Sequence, residues 1–259
     1  MRLVLAAAVL ALPAAPAAAQ KLGYASAAEL DGGKEEAVEP RLQYVLLDRL
    51  EWAPKGGAGG YAWDFSAQYG ATNGIWLSSV GEGSLWGSPD YLEFQALYAR
   101  DIGRGFQANV GPRWDARPTP QRVYLTAGGQ WSDEWGDNDA WIGAFTYVSH
   151  KGELSARLGG IYNHKLTDAL FIQPSFELNA SSEDVPALGL GRGLSYAEAG
   201  LRLRYEIGRF APYLGLSWES SFGRTARWAR QEGEEIVTKG VVIGLRYSWE
   251  PPETPSSGE

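Results

Sequence analysis

His150 and His164 are the only imidazoles in this 259-residue chain, cysteine is absent, and the one methionine is Met1. Thiolate, thioether and imidazole are the groups that hold soft and borderline metals such as copper, so the two histidines are its candidate metal ligands. A second candidate group is charged: Glu177, Glu198, Arg202, Arg204, Glu206, Glu219 and Arg246 fall on the polar face of their segments. Carboxylates without His, Cys or Met make a hard site that suits Ca²⁺ or Mg²⁺ better than copper. The same opposite charges can instead pair to fill and rigidify a narrow pore, since buried charge must be paired. Catalytic signals are weak. The sequence contains no G-x-S-x-G elbow, P-loop or H-E-x-x-H. The two histidines fall in a loop and a turn on opposite sides of a membrane, leaving no base beside a nucleophile, so a non-enzymatic protein is expected.

Those side chains must be carried by strands. From Arg41 onward the chain is built of segments about ten residues long with period-two alternation, the length and pattern of tilted membrane strands. In 196–207, Ala197, Ala199, Leu201, Leu203, Tyr205 and Ile207 share one face, and Glu198, Gly200, Arg202, Arg204 and Glu206 share the other. Successive side chains of a strand point to opposite faces, whereas a helix would mix the two sets. Phe106-Ala108-Val110-Pro112-Trp114 against Gln107-Asn109-Arg113 repeats the split, as does Leu170-Ile172-Pro174-Phe176-Leu178 against Gln173-Ser175-Glu177-Asn179. It recurs in 61–69 and 241–249. A β-sandwich also alternates and is the rival, but its polar face meets water, whereas this one gathers Arg, Glu and Gly as a lumen would.

Composition agrees with a membrane wall. The chain has 11 Trp, 13 Tyr, 8 Phe and 33 Gly, while mean hydropathy stays at −0.27. Such a mixture fits strands that face lipid at every second residue and carry aromatic rings at both boundaries. Residues 1–19 read as a secretory signal peptide, with Arg2, an Ala/Leu-rich stretch and Ala17-Ala18-Ala19 before Gln20. Residues 20–40 are a polar, acidic, flexible periplasmic lead, 41–249 the barrel, and 250–259 a Pro-rich polar tail. A net charge of −8 argues against a nucleic-acid partner. Absence of cysteine means export is not serving disulfide formation.

The fold class expected is all-β, a transmembrane antiparallel up-and-down β-barrel of about twelve strands in the bacterial outer membrane. The strands run over 41–52, 60–69, 74–80, 91–101, 104–114, 121–131, 139–148, 153–163, 169–180, 194–207, 210–220 and 238–249. With both termini in the periplasm the even-numbered connections are short turns, among them Ser132 to Asn138 and His164 to Asp168. Gly81 to Asp90, Ser181 to Gly193 and Ser221 to Val237 are then long outer loops. Asp48 falls on the lipid side of the first strand and calls for a bulge or an interfacial position. The run Arg224 to Glu232 is either a helical lid or an exposed basic patch toward lipopolysaccharide, which with outer-membrane lipid is an expected partner.

The second half resembles a known family. Leu154-Ser155-Ala156-Arg157-Leu158, Ile172-Gln173-Pro174-Ser175-Phe176-Glu177-Leu178-Asn179 and Gly189-Leu190-Gly191-Arg192-Gly193-Leu194-Ser195 are similar to segments of the copper resistance protein B family. So are Glu198 to Ile207, Phe210-Ala211-Pro212-Tyr213-Leu214-Gly215, Trp218-Glu219 and, upstream, Leu46-Leu47-Asp48-Arg49-Leu50-Glu51-Trp52. The resemblance implies an outer-membrane barrel that serves copper tolerance beside a periplasmic multicopper oxidase, with copper as the ion it binds or passes. Members of the family usually carry a Met- and His-rich lead. Residues 20–40 here contain neither residue. Copper is then handled by lumen groups and His164, or by soft ligands on a separate protein, or the cargo differs, as in a general porin or a structural barrel without metal preference.

Overall fold

The computed structural model describes residues 41–52, 61–72, 74–84 and 89–249. Twelve strands are present: β1 Arg41–Trp52, β2 Tyr61–Thr72, β3 Ile75–Ser84, β4 Tyr91–Gly103, β5 Phe106–Arg117, β6 Arg122–Trp135, β7 Asn138–Ser149, β8 Leu154–Lys165, β9 Leu170–Ser181, β10 Gly193–Tyr205, β11 Phe210–Ser221 and β12 Val237–Trp249. Each pairs antiparallel with its neighbours in sequence, and β1 pairs with β12, so the sheet closes on itself. Closure removes the edges whose unpaired N–H and C=O groups lipid could not satisfy. It also disposes of the sandwich. The expected signal peptide, lead and tail lie outside the described residues.

The burial pattern is inverted relative to a water-soluble protein. Along β5, Phe106, Ala108, Val110, Pro112 and Trp114 are exposed while Asn109, Arg113 and Asp115 are buried. The same holds in β9, where Pro174, Phe176 and Leu178 face out and Gln173, Glu177 and Asn179 face in. Alternation alone produces this: the apolar set meets hydrocarbon and the polar set meets the lumen.

Aromatic rings gather on the outer wall near the short-turn end. Phe106, Trp131, Trp135, Tyr162 and His164 form a continuous series of ring contacts with centroid separations of 6.0–6.4 Å. This is the belt where amphipathic rings meet the lipid headgroups. The bulge expected at Asp48 is present, because Leu47 pairs with Phe65 and Arg49 with Asp64 while Asp48 is skipped.

Two expectations about the short-turn end need correction. β6 and β7 run past the expected Ser132–Asn138 turn and meet at Gly136-Asp137, where Gly136 takes φ +68°. The ladder partners Asp133↔Ala140 and Trp135↔Asn138 show why: alternation continues, so the strands continue. Likewise β8 runs to Lys165, which places His164 in a strand rather than a turn. At the other end, β3 extends to Ser84 and shortens the loop expected from Gly81.

The long loops fold against each other. Residues 182–192 include a 3-10 turn at Pro186–Leu188, and residues 222–236 carry helix α1, Gly223–Glu232. The helix stops at Gly233, whose left-handed φ of +82° lets its N–H reach the carbonyls of Ala229 and Arg230. The Gly191 N–H donates to Thr225 Oγ1 at 2.8 Å, and Arg224 pairs with Asp184. The Phe222 N–H donates to the Ser195 carbonyl at 3.0 Å. The run is a helix docked on the neighbouring loop, and Arg227 and Arg230 on it are exposed.

Candidate functional site in the charged lumen

The inward residues of β4 to β9 build a buried ionic cluster. Glu93, 1% exposed, lies 3.0 Å from Arg113 Nη2. Arg113 Nε and Nη2 form a two-pronged pair with the Asp115 carboxylate at 2.7 and 2.9 Å, and Nη2 also donates to the Tyr91 hydroxyl at 2.6 Å. The guanidinium sits 4.3 Å from the Tyr147 ring centroid and 5.2 Å from that of Tyr124. Arg157 lies 5.6 Å from the same Tyr147 centroid and 3.9 Å from Glu177, whose Oε1 accepts a 2.5 Å bond from Asn179 Nδ2. Guanidinium planes suit this double duty of forked pairing and ring stacking. The tyrosine rings and ion pairs pack together around a small cavity of about 90 Å³.

Next to that cluster runs a row of carboxylates. Glu198 on β10 is the direct ladder partner of Glu177 on β9 and of Glu219 on β11. Directly opposed residues have Cβ atoms about 4.5–5.5 Å apart, and like charges there repel. Three inward glutamates thus stand side by side on the wall, Glu177 paired with Arg157 and Glu198 accepting from the Tyr196 hydroxyl. Arg202, one lumen position nearer the short-turn end than Gly200, lies over the Tyr213 ring at 5.3 Å.

Toward the short-turn end the lumen opens into a vestibule of 610 Å³. Glu134, Asp137 and Asp139, with Lys165, line the side built by β6 to β8, and Arg204, Arg209 and Arg246, with Glu206, the side built by β10 to β12, so acidic groups predominate on one wall and guanidinium groups on the other. Arg204 is 1% exposed, donates from Nη2 to Glu206 at 3.0 Å and stacks over Phe171 at 5.4 Å. Asp139 accepts from Asn163 at 2.8 Å, which accepts in turn from Gln173 at 2.6 Å. Lys165 bridges Asp137 and Asp168 at 3.3 and 3.1 Å.

At the long-loop rim Glu153 is clamped by Arg122 Nε and Nη2 at 2.9 and 3.2 Å and by the Ser149 hydroxyl at 2.7 Å. The Arg122 hydrogen bonds hold its carboxyl below the ordinary range, the Ser149 hydroxyl adds to the effect, and partial burial opposes it. Glu234, in the loop after α1, is pushed the other way, by burial and by the neighbouring Glu232.

The structure divides the sequence-selected residues. Glu177, Glu198 and Glu219 form the row, while Arg204, Glu206 and Arg246 line the vestibule. They are two sites rather than one cluster. His150 lies in the β7–β8 loop at the long-loop end, with Nδ1 near the Val123 backbone. His164 lies at the other end and, by alternation with the inward Asn163 and Lys165, on the outer wall, stacked on Tyr162. The strand that continues through His164 turns its ring toward the lipid boundary, apart from the lumen groups. No group of three or more His, Cys, Asp or Glu side chains among the described residues is arranged to hold a metal ion. The Tyr91, Glu93, Arg113, Asp115 and Arg157 core was missed among the candidate residues. Parity carried the signal: Arg113 and Asp115 flank the outward Trp114, and Tyr91 and Glu93 flank Leu92.

Known proteins give the fold and the lineage. A family model described as copper resistance protein B precursor matches residues 41–249. Copper resistance protein B of Escherichia coli is 40% identical over 204 residues, which cover 78% of this chain and 68% of that protein. The copper resistance protein B homolog of Pseudomonas syringae pv. tomato is 35% identical over 205 residues, with the same two shares. Among solved structures the NanC porin superposes with a TM-score of 0.52 at 14% identity, covering 80% of this chain and 98% of that one, a likeness of fold.

Proposed function

This chain belongs to the copper resistance protein B family of bacterial outer-membrane barrels, and from that premise we propose that it contributes to copper resistance without catalysis, binding or passing copper ions through its charged lumen. The observation that supports the reading is the Glu177-Glu198-Glu219 row, three carboxylates on adjacent strands of the lumen wall that offer hard oxygen ligands to a cation. Copper is the cargo. Its soft ligands come from elsewhere, since the chain has no cysteine and both histidines stand outside the row. A periplasmic multicopper oxidase at the short-turn end is the partner that fits, and lipopolysaccharide is the neighbour that fits Arg227 and Arg230 above the outer leaflet. The buried tyrosine and ion-pair cluster on the lumen side of β4 to β9 favours this reading over a general porin, which needs an open aqueous path.

The test uses proteoliposomes loaded with a copper-sensitive dye. Wild-type protein admits copper, while the double substitution Glu198→Gln with Glu219→Gln slows entry. Planar-bilayer conductance in potassium chloride stays near baseline for both. High potassium chloride conductance together with copper entry that ignores the substitutions would return the protein to the porin reading.

A further inference from the structure

The vestibule has a polarity that a bare cation does not need. In the ring of strands β6 stands half a turn from β12, so Glu134 on β6 and Asp137 and Asp139 in and after the β6–β7 turn lie across the opening from Arg246. Arg204 and Arg209 extend the cationic side. The Arg204 guanidinium is almost wholly buried, and among the described residues its ion-pair partner is Glu206, 39% exposed, while its Nε and Nη1 have no hydrogen-bond partner. A buried guanidinium with so little compensation is costly unless something negative joins it. The opposing wall leaves its acidic groups toward the opening, with Lys165 neutralising Asp137 and Asp168 from one side.

A ligand that completes both walls must present anionic oxygens on one side and a positive centre on the other. A small carboxylate chelate of a divalent metal has that form: its outer carboxylate oxygens face guanidinium groups, and the metal's open coordination side faces carboxylates. Such a ligand also brings the first coordination sphere that this lumen lacks.

We infer that the vestibule binds its metal as a small, carboxylate-bearing chelate, with the carboxylates against Arg204, Arg209 and Arg246 and the metal toward Glu134, Asp137 and Asp139. The inference rests on copper being the cargo, and it names the chemical form in which that cargo is recognised.

Calorimetric titration of the detergent-solubilised full chain with copper(II) citrate, citrate alone and copper(II) sulfate tests it. Copper(II) citrate is expected to bind more tightly than either component. Arg209→Gln, at an exposed turn position where folding is not at stake, is expected to weaken citrate and copper(II) citrate about tenfold, the worth of one charged hydrogen-bond partner. Glu134→Gln is expected to weaken copper(II) citrate and leave citrate unchanged. Copper(II) sulfate binding as tightly as the chelate, with Arg209→Gln silent, would overturn the chelate while leaving copper as cargo. Citrate binding that copper does not strengthen would overturn both. No binding of citrate in either form would overturn the vestibule site.

Discussion

Arg113 is the residue on which the interior turns. It holds Glu93, Asp115 and Tyr91 while lying against two tyrosine rings, all of them buried. Removing one partner from a buried ion network strands the others, at a cost of about 3–5 kcal/mol, whereas an exposed pair is worth about 0–1 kcal/mol. Arg113→Ala is therefore expected to lower unfolding stability in urea by the larger amount and to raise single-channel conductance by opening the packed cluster. A loss below about 1 kcal/mol would place the network among solvent-screened pairs. Little of this was legible as chemistry. Parity in the sequence said which residues face inward, but the pairing of Arg113 with Glu93 depends on β4 and β5 lying side by side in a particular register. His164 shows the reverse case: the sequence placed it in a turn, and β8 instead continues to Lys165 and turns its ring outward.

Connections behave as separately held elements. The β7–β8 loop is latched to the start of β6 by Glu153, whose carboxyl the Arg122 hydrogen bonds keep below its ordinary range. A folded value below the unfolded one, about 4.3 for a free glutamate, means the latch contributes fully above that pH and is lost as pH falls through the folded value. Because the chain has no cysteine, Lys151→Cys gives a single site for a nitroxide label. Label mobility is expected to stay flat from pH 7 down to the ordinary glutamate range and to rise only below it, where the Arg122-held carboxylate protonates. Adding Glu153→Gln should leave the loop loose at every pH. Mobility that rises between pH 7 and 5 would show that another group closes this loop. The helix after β11 was foreseen only as one of two alternatives, because its ten residues carry three arginines and dock through Ala226, Ala229 and Thr225 rather than through a wide apolar stripe.

At the scale of the whole molecule the sequence was most informative. Strand number, closure, the inward and outward sets and the separation of short turns from long loops all follow from period two, since each strand must satisfy lipid on one face and its neighbours at both edges. Even the defect at Asp48 could be anticipated from a charge on the wrong parity. The division of the lumen into a buried ion-pair cluster, a glutamate row and a bipolar vestibule could not, because it depends on which strands meet across the ring.

The central claim, that this wall of charge handles copper in the cell, is tested most directly by growth. A strain lacking the gene, supplied with wild-type protein or with the Glu198→Gln, Glu219→Gln double variant at equal outer-membrane abundance, is grown across a copper series. Restored tolerance with the wild type and reduced tolerance with the double variant is the expected result. Equal tolerance with both proteins, or no dependence on the gene at all, would contradict it.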